Sequence, residues 1–313
     1  MPGQKLNISI CTLFEKDYHY GLAALANSLY VHNYRGIIWA GYRGLLPAWL
    51  PNKKSKEKWI EVEVAQDFII RFVEIDTQMH FANYKPTWML SVFNNLDANC
   101  GMLFYFDPDI TVNYNWDFFS KWAASGVALC QDVNYFMPAD HPRRKEWQRF
   151  IQNKGFYIRS KLNNYFNSGF VGLKREYIGF LIQWEKLMAL IGEQGMDTGS
   201  LRKLNPSGMF TTLDQDALNI IAMITEYPLS TVGPEGMGFI PGSFMMAHAI
   251  SLPKPWDKKM ALNSLIGQPL RRADKEYFKY TQYPIQFFSK WQLFWRKVDL
   301  KIASAINRVA ARR

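Results

Sequence analysis

Five apolar residues that stop at a pair of acids constrain this chain more than any other stretch. Residues 102–106 (MLFYF) run without alternation and are rich in aromatics, the pattern of a strand covered on both faces. The run meets Asp107 and Asp109, with Pro108 between them. Proline fixes φ and has no N–H for a sheet ladder, so the strand is expected to end there. In an open α/β sheet, ligands sit just beyond the carboxyl ends of the strands. Two carboxylates at such an edge suit a hard divalent cation that in turn holds phosphate oxygens. An acidic turn closing a buried strand would read the same way, and a second D-x-D stands at Asp214 and Asp216. The rest of the chain has to decide.

Strands are expected at 6–13, 37–40, 68–75, 126–131 (ending at Asp132), 166–173 and 230–232. Helices are expected at 20–30, 84–96, 116–122, 176–191 and 214–225. The second helix is expected to open at Lys85-Pro86, with proline in its first turn. This alternation argues for an α/β fold, a mostly parallel sheet with helices on both faces. Residues 47–58 read as a solvated loop, and 192–208 as a Gly/Ser/Asn-rich one. The polar, basic stretch 134–163 reads as an excursion over the active edge, either a lid or a surface insertion.

The chain has 313 residues, of which 48% are hydrophobic, enough for one large domain or two small ones. Cys11, Cys100 and Cys130 lack metal-ligand spacing and lie in or beside apolar runs, so buried free thiols in a reducing compartment are expected. No signal-peptide pattern and no membrane-spanning run is read, which points to a cytoplasmic protein. Of the net charge of +10, most belongs to residues 271–313, which hold 11 Lys/Arg against 3 Asp/Glu. The catalytic unit is accordingly read as 1–270 and the tail as 271–313. In that tail Phe288, Trp291, Trp295, Val298, Ile302, Ala305 and Val309 recur at helical spacing, with Lys290, Lys297, Lys301 and Arg308 on other faces. A basic amphipathic helix of this kind fits the cytoplasmic face of an anionic membrane. It would equally fit packing on the domain or against a second copy, so homodimerisation is left open. Nucleic acid is not expected, since no recognition module accompanies the charge.

Four further fragments could serve one ligand. Asn167-Ser168-Gly169 interrupts an apolar strand, where glycine permits close approach. Asp214-Gln215-Asp216 opens a helix, with Asp214 a candidate N-cap. His248 could complete an O,O,N metal site with Asp107 and Asp109, and Lys254 could set its ammonium on a phosphate. Lys85, near a helix start, could meet an anion.

The order Y-F-D-P-D, F-N-S-G, D-Q-D-A-L-N and H-x5-K-P-W resembles the retaining glycosyltransferases of family 8, over about residues 6–260. The resemblance implies a GT-A fold, and Mn²⁺ (or Mg²⁺) held by Asp107, Asp109 and His248. It implies a nucleotide-sugar donor, a UDP-hexose, whose diphosphate the metal and Lys254 would contact. Asn167 and Asp132 would hold the sugar, with Asp214 and Gln215 near the anomeric carbon. Thr12 and Leu13 match the region that holds base and ribose. The implied acceptor is a saccharide or glycolipid such as lipopolysaccharide or capsule. Two positions depart from the family: Ser251 stands where glycine is usual, and Pro108 where a small or aliphatic residue is. The departure at Ser251 keeps a catalytically silent sugar-nucleotide binder in view. A nucleotidyltransferase would need a Gly-rich N-terminal loop, which CTLFEKDYHYG does not supply.

Overall fold

The computed structural model describes residues 7–50, 52–200 and 208–310. Leu6 of the expected first strand, residues 201–207 of the expected loop and the last three residues of the tail lie outside that range. The strands are β1 (Ile8–Glu15), β2 (Gly36–Arg43), β3 (Lys54–Ser55), β4 (Ile60–Ala65), β5 (Phe68–Glu74), β6 (Met102–Phe106), β7 (Ile110–Val112), β8 (Val127–Phe136), β9 (Asn164–Lys174), β10 (Leu229–Val232) and β11 (Met246–His248). The helices are α1 (His19–Val31), α2 (Phe81–Ser91), α3 (Trp116–Ala124), α4 (Pro142–Gln152), α5 (Ile178–Glu193), α6 (Leu213–Ile224), α7 (Met260–Leu265), α8 (Arg272–Tyr277) and α9 (Lys290–Ala310).

Nine strands form one sheet in the order β10-β8-β9-β6-β1-β2-β5-β4-β3. Only β4 and β9 run against the common direction, so the sheet is mostly parallel, as expected. The reversed β9 lies between β6 and β8 and pairs Phe170 with Phe106. Side chains along each strand alternate between two cores, because successive Cβ atoms point to opposite faces. Met102, Phe104 and Phe106 enter the first core beside α1, α3 and the C-terminal segment. Leu103 and Tyr105 enter the second, beside α2, α5 and α6. All five residues of β6 are buried, and the strand stops before Pro108 as its chemistry requires.

Several elements differ from expectation for local reasons. α2 begins at Phe81, because the His80 side chain accepts the Ala82 N–H at 3.1 Å and caps it. Pro86 therefore lies inside that helix, and Lys85 is a helix-interior residue with no access to the helix terminus. α6 begins at Leu213 with Thr212 at its N-cap position, where the side chain makes no capping bond, so Asp214 lies in the first turn and is not the N-cap. β4 arises beside the expected solvated loop, pairing antiparallel with β5. The 134–163 excursion contains the last turn of β8 and all of α4, whose Trp147 and Ile151 are buried in the second core. It is a packed element rather than a free lid. The three cysteines are free and buried, as expected.

Residues beyond 270 first enter the core and then leave it. Tyr277, Phe278, Tyr280, Ile285, Phe287 and Phe288 are buried there. The Asn27 amide donates to the Tyr280 and Ile285 carbonyls at 2.8 Å and accepts the Ile285 N–H. α9 turns Leu293 and Ala303 inward, and Asp299 accepts the N–H groups of Met260 and Ala261 at the start of α7. On its other side Trp291, Phe294, Trp295, Ile302 and Val309 are each about half or more exposed. Among the described residues no helix is long and apolar enough to cross a membrane.

Candidate metal and donor site

Asp107 leaves β6 at the carboxyl end of the sheet, and its N–H donates to the Gly169 carbonyl on β9 at 2.7 Å. Gly169 is required at this crossing. A Cβ there would sit 2.5 Å from His248 Cε1, 2.8 Å from Asn167 Oδ1 and 2.9 Å from Asp107 Oδ2. The small residue that interrupts the apolar strand thus makes room for three side chains the sequence singled out. Tyr105, one step back on β6, donates its hydroxyl to Asp107 Oδ1 at 3.0 Å.

Asp109 and His248 meet through a second, two-stranded ribbon. β7 follows the Asp107-Pro108-Asp109 turn and pairs antiparallel with β11, with Ile110 opposite His248. The Ala249 N–H donates to the Asp109 carbonyl at 3.1 Å. This register sets His248 Nε2 at 3.2 Å from Asp109 Oδ1 and 3.7 Å from Asp107 Oδ2. One ligand atom from each of the three residues lies within 4.8 Å of the others. Two carboxylate oxygens and an imidazole nitrogen suit Mn²⁺ or a similar divalent ion. Lys254, 145 residues from Asp109 in sequence, places Nζ 2.5 Å from its Oδ2. Burial alone would raise the Asp109 carboxyl, but the Lys254 ammonium and His248 outweigh it and hold the group well below the usual range. An ionised carboxylate at this position is what a cation would need.

On the inner side of the cleft, Lys85 is buried between two carboxylates. Its Nζ lies 3.1 Å from Asp107 Oδ1 and 3.0 Å from Asp214 Oδ2, and donates to the Ser168 carbonyl at 3.1 Å. Burial would lower its affinity for the proton, but Asp107 and Asp214 raise it further. Ser168 Oγ donates to the same Asp214 oxygen at 2.5 Å, leaving Asp214 Oδ1 buried without a hydrogen-bond partner among the described residues. Gln215 Oε1 accepts from Asn167 Nδ2 and from the Ser168 N–H, each at 3.2 Å. Asn167 Nδ2 also donates to Asp132 Oδ2 at 2.7 Å.

These groups line a cleft of about 340 Å³. Leu13, Lys85, Asp107, Asp109, Asp132, Asn167, Asp214, Gln215, His248 and Lys254 all border it, whereas Thr12 is fully buried and does not. β1 runs two residues past the expected end, which carries Phe14 and Glu15 to the rim. Tyr18 and Asn134 also line the cleft and were not singled out from the sequence. Tyr18 packs edge-on against Trp256, and Lys254 Nζ lies 5.6 Å from its ring centroid. Nothing in the local sequence pattern pointed to this pairing.

No protein-family model and no curated protein sequence matches the chain. Solved structures do resemble it. The bifunctional glycosyltransferase WbbM matches at 12% identity and a TM-score of 0.53, over 95% of this chain and 52% of its own. The glycosyltransferase GlyE of Streptococcus pneumoniae TIGR4 matches at 13% identity and 0.51, over 96% and 64%. The galactosyltransferase LgtC, solved with donor and acceptor sugar analogues, matches at 13% identity and 0.52, over 91% and 99%. This chain spans about half of WbbM and under two thirds of GlyE, and nearly all of LgtC. At such identities the likeness shows a shared fold, and that fold is the GT-A type the sequence implied.

Proposed function

We propose that the protein is a metal-dependent retaining glycosyltransferase of the family 8 kind, transferring a hexose from a UDP-sugar to a saccharide or glycolipid acceptor such as lipopolysaccharide or capsule. One observation carries this reading. Asp107, Asp109, His248 and Lys254 come from distant segments and converge on one cleft, where two carboxylates and an imidazole could hold a cation beside an ammonium. Asp107, Asp109 and His248 would hold Mn²⁺ or Mg²⁺. Such an ion would neutralise charge developing on the departing diphosphate. Lys254 supplies a second positive charge at the same oxygens, preorganised and shielded from water.

The sugar would lie over Asn167, Asp132 and Gln215, which the amide of Asn167 ties into one hydrogen-bonded unit. Asp214 is held back by Lys85 and Ser168, so the acceptor hydroxyl is assigned as the attacking group. Its oxygen bonds to the anomeric carbon as the bond to the diphosphate breaks on the same face. The departing phosphate oxygen takes the hydroxyl proton, and configuration is retained. Leu13 and Tyr18 border the end of the cleft assigned to base and ribose, with Thr12 behind them. The catalytic unit, expected over 1–270, would take in the core-packed residues up to Phe288 as well, leaving the remainder as the attachment segment. Within that segment, α9 would lie on the anionic cytoplasmic face of the membrane through Trp291, Trp295 and Ile302.

Incubation with UDP-sugars and Mn²⁺ should release UDP slowly without acceptor, and Asp109→Asn should abolish the metal-stimulated part, a loss on the order of 10³-fold. No release and no nucleotide-sugar binding by the native protein would overturn the proposal.

A further inference from the structure

Lys254 sits on the crossing from β11 to α7, residues 249–259, which contains neither helix nor strand. A segment of this kind keeps its shape only through its tethers. One end is tied where the Ala249 N–H meets Asp109. The other is tied where Lys258 Nζ donates to Asp274 Oδ2 at 2.8 Å and to the Pro269 carbonyl at 3.1 Å. Between these ends the buried Trp256 donates its indole N–H to Asp17 Oδ2 at 2.8 Å, and a guanidinium reaches back to the residues before it. Arg271 Nη1 donates to the Ser251 carbonyl at 2.7 Å, and Nη2 to the Pro253 carbonyl at 2.8 Å. Both carbonyls lie within three residues of Lys254. The same fork pairs with Asp274, Nη2 to Oδ1 at 2.6 Å and Nε at 3.1 Å. Asp274 is fully buried on α8, and α8 packs against β7 and β11. One short helix therefore backs the ribbon that carries Asp109 and His248, and it also anchors the loop that carries Lys254.

The geometry points to Arg271 as a positioning residue, one that fixes the 251–253 backbone so that the Lys254 ammonium meets the donor diphosphate. This rests on the assignment of Lys254 to the diphosphate made above. Arginine suits the task because its planar fork can span two carbonyls and a carboxylate at once. Lysine could pair with Asp274 but could not grip both carbonyls. Ser251, the position that departs from the family's glycine, is one of the two residues held. Here the loop takes its shape from a side chain outside it.

Arg271→Lys keeps a charge beside Asp274 and loses the double grip, and Arg271→Ala loses both. Affinities of the Mn²⁺-loaded protein for UDP and for UMP, with thermal midpoints, should be measured for both variants and for Lys254→Ala. Arg271→Lys is expected to weaken UDP roughly 10-fold, the scale of an outer-shell partner, while UMP affinity and the thermal midpoint hold. Lys254→Ala should discriminate UDP from UMP at least as strongly. If Lys254→Ala discriminates and Arg271→Lys does not, the positioning role falls and the diphosphate assignment stands. If Lys254→Ala leaves UDP affinity unchanged, both fall. Equal losses of UDP and UMP affinity, or a lowered thermal midpoint in Arg271→Lys, would reduce Arg271 to a structural residue and overturn the inference.

Discussion

Asp107 and Asp109 stand two residues apart, yet they are held by different kinds of structure. Asp107 belongs to the body of the sheet. Its N–H is tied to β9, Tyr105 and Lys85 bond its carboxylate, and Lys85 joins it to Asp214 on α6. Asp109 belongs to the small β7–β11 ribbon, and its ammonium partner rides on a loop without regular structure. The inner lysine is locked among several partners from packed elements, and the outer one is delivered by a tethered crossing. Both ammoniums neutralise buried carboxylates, but one is carried by a packed helix and the other by a loop held in place by side chains outside it.

The contrast is open to test through the two lysines. Lys254→Met should cut metal-dependent UDP release by about 10²–10³-fold, with a smaller loss of stability. Lys85→Met should lower the unfolding free energy by about 3 kcal/mol in a denaturant titration, because it strands Asp214 and Asp107 without their shared cation. Equal stability losses in the two variants would erase the distinction. Gly169→Ala tests the seam between the two regions, since its methyl would press on His248 and on Asp107 together. A loss of Mn²⁺ affinity of about 10-fold by calorimetry is expected, with the sheet intact by circular dichroism.

The same division between tied and free recurs along α9, whose Leu293 and Ala303 are buried while Trp291 and Trp295 are exposed. Trp291→Glu combined with Trp295→Glu should reduce sedimentation with anionic vesicles several-fold without moving the thermal midpoint. Unchanged sedimentation would leave that face without a membrane role. Truncation from residue 284 is a poorer test, because it would strip Ile285, Phe287 and Phe288 from the core.

The smallest effect concerns pH. Burial would raise the Asp274 carboxyl, but Arg271 and Lys258 outweigh it and leave the folded value depressed. A depressed folded value adds stability above the unfolded value of about 3.9, and that stability is lost as pH falls through the folded value. The stability gap between native protein and Asp274→Asn should therefore narrow as pH drops below about 4. A gap independent of pH would show that folding does not depress the Asp274 carboxyl.

Much of this architecture was written locally. The end of β6 followed from Pro108, and the buried faces of α1 and α5 from apolar spacing. What local pattern missed had short-range rivals. His80 caps α2 with a ring nitrogen, which moved Lys85 from an expected helix start to the helix interior. α6 starts at Leu213, one residue earlier than expected, which puts Asp214 in its first turn, paired with Lys85. Trp147 and Ile151 mark a buried helical face that the basic residues of 134–163 concealed.

By itself the sequence determined the elements and the residue types: a buried strand cut off by proline before two acids, a glycine beside Asn167 and Ser168, a histidine six residues before a lysine. Only the tertiary structure decided that these meet. β9 runs antiparallel between β6 and β8, and three-residue strands set His248 beside Asp109. Strand direction and the pairing of such short strands leave no periodicity in a sequence. They are settled by which distant segments can bury each other's apolar faces while satisfying every backbone hydrogen bond.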